Sequence, residues 1–79
     1  MSLQTILQIE CKYIVLQQGE RVVWLVYNPH SRRVVGASLD HLKSQGIAEV
    51  VHHYLQRGYE EIERGKIERK EDYDRIQTM

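Results

Sequence analysis

The chain has 79 residues, in which 11 Lys and Arg balance 11 Asp and Glu, with a mean hydropathy of −0.51 and a single cysteine. One core is the limit at this size, since so small a domain buries only about 60% of its unfolded surface; the lone thiol of Cys11 excludes an internal disulfide, and no ladder of Cys and His offers zinc spacing. The balanced charge excludes a global field toward nucleic acid or anionic membrane, and residues 1–9 carry neither a secretion signal nor a membrane span, so a soluble cytoplasmic protein without membrane association is expected.

Residues 7–13 alternate, with Leu7, Ile9, Cys11 and Tyr13 apolar and Gln8, Glu10 and Lys12 polar. Period two predicts a half-buried strand that runs on through Ile14, Val15 and Leu16. In the Gln17-Gln18-Gly19-Glu20 stretch, Gly19 can take the positive φ of a tight hairpin turn. A second strand over Arg21–Asn28 is dense in β-branched and aromatic side chains (Val22, Val23, Trp24, Val26, Tyr27) and stops at Pro29, which cannot donate to a ladder. A third covers Arg33–Ala37.

Whether the first turn centres on Gln18-Gly19 or Gly19-Glu20, odd positions of strand one share a face with even positions of strand two. One face then holds Ile9, Cys11, Tyr13 and Val15 with Val22, Trp24 and Val26, joined by Val35 and Ala37 if Asn28 pairs with Arg33. Uniformly apolar, it is the expected core. The opposite face mixes Glu10, Lys12 and Arg21 with Ile14, Leu16, Val23, Leu25, Tyr27 and Val34.

Helix is expected after strand three, with Ser38 or Asp40 as N-cap and a break near Ser44-Gln45-Gly46. The main helix carries Ile47, Val50, Val51, Tyr54 and Leu55 on one stripe, which predicts a lid for the core face, ending near Arg57 with Gly58 as the C-cap. Residues 59–79 are mostly charged. Favourable pairs four apart, Glu60 with Arg64 and Glu71 with Arg75, predict a frayed helix. The fold class expected is therefore α+β: a three-stranded antiparallel β-meander followed by a main helix and a charged C-terminal helix, in the order β-β-β-α-α. Residues 1–58 form the domain and 59–79 its charged helical extension.

Glu49 with His52 or His53, three or four positions on, could face one cation from a helix, but two ligands are not a site, and no metal or cofactor is expected. His30, Arg32 and Arg33 place an imidazole and two guanidiniums in the loop after Pro29, an anchor for phosphate, carboxylate or nucleic acid. Tyr13 and Trp24 fall on the core face, leaving Tyr27 alone on the outer one, which argues against a sheet that stacks bases. Cys11 reads as a core residue rather than a nucleophile, and no phosphate loop or paired carboxylates appear, so no catalysis is expected.

What remains is surface that one copy cannot cover. If one helix shields one face, Ile14, Leu16, Val23, Leu25, Tyr27 and Val34 stay bare on the other, and Leu7 and Ile9 overhang the second strand with unpaired backbone. These residues are the expected interface of a homodimer. The function expected is a non-enzymatic protein–protein interaction or regulatory module, with the C-terminal segment as a second contact for a protein partner. The alternative is a nucleic-acid-binding regulator using the loop at residues 30–33.

Overall fold

The computed structural model describes residues 2–79. Its elements run α1 (Leu3–Gln8), β1 (Lys12–Gln18), β2 (Arg21–Asn28), β3 (Arg33–Ala37), a 3-10 turn at Asp40–Leu42, α2 (Ile47–Gln56), β4 (Glu60–Lys66) and α3 (Lys70–Gln77). The class is α+β, but the sheet has four antiparallel strands in the order β3-β2-β1-β4, flanked by three helices. No helix is long and apolar enough to cross a membrane among the described residues.

The meander forms as its pattern requires. Gln18 pairs with Arg21 around Gly19-Glu20, and Gly19 supplies the positive φ of 59°. Tyr13 faces Val26 and Val15 faces Trp24, the expected sharing of faces. In β3 a register shift beyond Val26 carries Ala37 opposite Leu25, so Ala37 joins the other face instead of the one anticipated.

Three expectations are corrected. Residues 3–8 are helix, not the start of a strand: the Ser2 side chain accepts from the Thr5 N–H, and Ile6, at 2% exposure, points into the core. The alternation from Leu7 to Cys11 coincides with a helix end and a turn in which Glu10 takes φ 53°. Residues 59–79 are not a helical extension. They supply β4, hydrogen-bonded beside β1, and then α3, which docks Ile76 at 0% exposure.

The third correction concerns the lid. Helix α2 covers the face expected to be bare, packing Ile47, Val50 and Tyr54 on Ile14, Leu16, Val23, Leu25 and Val34. The other face, with Cys11, Tyr13, Val15 and Val26, is closed by Ile6 of α1, by Ile67 just after β4 and by Ile76 of α3. Leu55, expected on the buried stripe, is 46% exposed. The apolar cores on both sides of the sheet are thus covered within one chain.

The course of α2 is diagonal. Its N-terminal end lies at β3, where Gly46 bridges to Arg33; its C-terminal end reaches the first hairpin, where Gln18 Nε2 donates to the Arg57 carbonyl at 2.8 Å. Ten residues make a helix about 15 Å long, enough to run from the β3 edge to the hairpin end of β1 but not along the full diagonal of four strands that span roughly 14 Å between their outer axes. The corner of that face where β1 begins and β4 ends is left uncovered, and its concavity is lined by sheet residues alone.

Candidate functional site

The uncovered corner lies where β1 begins, β2 ends and β4 ends. Across it, Lys66 faces Lys12, Lys12 faces Tyr27, and Tyr27 faces Val34, while Arg64 stands one row in, opposite Ile14. The Ile67 N–H donates to the Cys11 carbonyl at 2.8 Å. Lys12 and Lys66 consequently form a non-hydrogen-bonded pair, the type in which facing side chains stand closest. Like charges directly opposite are destabilising in an antiparallel pair, and neither lysine has an ion-pair partner among the described residues.

Lys12 and Tyr27 are half-buried, and Arg64 and Lys66 are exposed. Together they line a shallow concavity of 240 Å³. Glu61 anchors Arg64, accepting from Nε at 3.0 Å and from Nη2 at 2.5 Å, and this contact raises the guanidinium pKa, with a smaller contribution from the Tyr27 phenol.

The loop singled out from the sequence sits at the same end of the sheet. Asn28 organises it: its side-chain oxygen accepts from the His30 N–H at 2.9 Å, and its carbonyl accepts from the Arg32 N–H at 2.7 Å. The three candidate residues do not act alike. Arg33 Nη1 donates to the Ser44 carbonyl at 2.8 Å, fastening residues 44–47 along the outer edge of β3. Arg32, held at φ 60°, and His30 are exposed, and neither forms an ion pair among the described residues.

A second concavity, of 470 Å³, joins Arg32 and Arg33 to the N-terminus of α2. That helix end is already served. The Ile47 N–H donates to the Arg32 carbonyl at 2.8 Å, and the Glu49 carboxyl carbon lies 3.7 Å from where a β-carbon on Gly46 would sit. A carboxylate there competes with any incoming anion, so the corner is the better receptor.

The other candidates are placed as follows. Ile14, Leu16, Val23, Leu25 and Val34, expected as interface, are at most 5% exposed beneath α2 and are unavailable to a partner in this fold. Leu7 and Ile9 pack against the opposite core, and the β1 edge they were to extend is paired with β4. Of the residues on the α2 face in that set, only Tyr27 is half-buried rather than buried; Leu7 and Ile9, on the other side, are also half-buried. Cys11 is fully buried, which pushes its thiol pKa up. Glu49, His52 and His53 are exposed, and no three His, Cys, Asp or Glu side chains converge as metal ligands among the described residues.

Lys12, Arg64 and Lys66 were not singled out from the sequence. Their signal needed β4: only once that strand lies beside β1 do residues 52 and 54 positions downstream come to stand near Lys12. No family model, no curated protein and no solved structure matches the chain.

Proposed function

We propose that the chain is a small non-enzymatic interaction module whose partner is nucleic acid, bound at the basic end of the sheet. One observation supports this reading: the diagonal course of α2 bares the corner where Lys12, Arg64 and Lys66 surround Tyr27. A protein interface was expected to draw on apolar surface, and that surface is used inside the chain. Phosphate recognition asks for clustered cations, and neutralising phosphates releases counterions, so such binding weakens steeply with salt.

Retention on heparin and on nonspecific duplex and single-stranded DNA, followed against sodium chloride, tests the proposal. The unmodified protein is expected to be retained at low salt and released as salt rises. Lys12→Gln with Lys66→Gln should abolish retention, and Arg32→Asn, which keeps a residue tolerant of positive φ, should weaken it. Unmodified protein that flows through at low salt overturns the proposal.

A homodimer is the second reading, now through the outer edge of β4. That strand is acidic at its start and basic at its end, so antiparallel pairing about a two-fold axis sets Glu60 of one copy against Lys66 of the other. Against it stand the bulge at Ile62 and the density of charge, both devices that keep edges from pairing. Sedimentation as a monomer at high micromolar concentration eliminates this reading.

A further inference from the structure

Resting on the nucleic-acid reading, we propose that the ligand is single-stranded and that the Tyr27 ring stacks against one of its bases. The row Lys66, Lys12, Tyr27 crosses three adjacent strands in register. Neighbouring strands lie about 4.8 Å apart, so the ring stands one spacing from one lysine and two from the other. A phosphate held by the lysines therefore brings an unpaired base within reach of the phenol ring. In a duplex the bases are stacked on each other and cannot reach it.

The shape of the molecule favours the same choice. Reading a duplex calls for a helix or ribbon that enters a groove, whereas all three helices here lie against the sheet, packing their buried residues into its two cores. A sheet face carrying an aromatic side chain beside cations is a platform for splayed bases. The concavity, at 240 Å³, falls below the roughly 300 Å³ at which pockets for whole small molecules begin. It suits one planar group of a longer chain.

Acidic groups set the limits of the track. Glu61 fixes Arg64 from one side, and Glu10 and Glu68 line the adjoining concavity on the far side of Lys66. Carboxylates there repel phosphate and confine the backbone to the strip beside Tyr27.

Fluorescence polarisation with fluorescein-labelled oligo(dT), and with a duplex of equal length, tests this in low-salt buffer. The single strand is expected to bind more tightly than the duplex. Tyr27→Ala should weaken single-strand binding by roughly five- to hundredfold, a larger factor than for the duplex, and Tyr27→Phe should retain it. Circular dichroism checks folding, and if the alanine variant unfolds, Tyr27→Leu keeps the apolar packing without the aromatic plane and carries the same comparison. Equal affinity for both forms, or a folded Tyr27 variant without effect, overturns the stacking inference while leaving nucleic-acid binding intact. Absence of binding to either form removes both.

Discussion

Arg75 on α3 grips Glu63 on β4 through both carboxylate oxygens, with Nη1 3.3 Å from Oε1 and Nη2 2.5 Å from Oε2. The same Nη2 donates to the Tyr13 hydroxyl at 2.9 Å, and Tyr13 donates to Glu63, closing a set that ties a helix, an edge strand and an inner strand. Bidentate geometry with a third partner is the arrangement in which a partly exposed ion pair contributes to stability. Arg75→Gln is expected to lower the thermal midpoint, by less in high salt, because the side chains are 48% and 31% exposed. A double-mutant cycle with Glu63→Gln should show coupling; strictly additive losses would contradict the clamp.

The same contacts set the acid limb of the stability curve. Arg75 first, then Tyr13, hold the Glu63 carboxyl below the ordinary glutamate value, and the Glu68 N–H is the main cause holding Asp72 below the ordinary aspartate value. The unfolded chain binds these protons more tightly than the folded one. Their contribution is complete above the ordinary carboxylate range and is lost as pH falls through the depressed folded values. The urea midpoint should therefore be level near neutrality and drop below roughly pH 4, with Glu63→Gln showing a shallower drop. At the alkaline end the sign reverses: burial raises both Cys11 and Tyr13, so their contribution is lost as pH climbs through the raised values.

Gly65 is where β4 passes beneath the Tyr13 ring. A β-carbon there would stand 3.0 Å from Cε1 and 3.1 Å from the hydroxyl oxygen. Because the ring is pinned by Glu63 and Arg75, it cannot swing aside without breaking those bonds. Gly65→Ala should cost about 1–3 kcal/mol, the range for overpacking a filled site. Urea denaturation of the variant checks this, and an unchanged midpoint would mean that the ring is free to move.

The meander was legible because its residues announce themselves locally: Gly19 marks the hairpin, and Asn28-Pro29 ends β2 where the ladder ends. That Tyr13 and Val26 share a face follows from period two alone; their direct pairing is set by the turn at Gly19-Glu20. What failed to show was β4. Glu60, Glu61, Glu63, Arg64 and Lys66 are polar on both faces because the strand lies at an edge, so no alternation betrays it, and the spacing of Glu60 and Arg64 suggests helix. That one omission misdirected the rest. Without β4, α3 has no anchor point, only one lid can be found, and Leu25 and Tyr27 seem to share an open face. The basic corner was invisible for the same reason, since Lys66 and Lys12 meet only through that strand.

The second lid gives a direct test of the two covered cores. Trp24, the single tryptophan, packs edge-on against Tyr73 of α3, with ring centroids 6.2 Å apart and planes at 72°. Ile76 from the same helix is fully buried against the core that holds Cys11, Val15 and Val26. Removing residues 70–79 takes away this cover and exposes a contiguous apolar patch, a surface that monomers rarely leave open. The truncated chain should lose stability, shift its tryptophan emission to longer wavelength, and associate in a concentration-dependent way when examined by light scattering. Ile76→Asp in the full chain should reproduce all three changes, because it unseats the helix without shortening the chain. If both variants keep the emission maximum of the parent and remain monomeric, α3 is not the lid of that face.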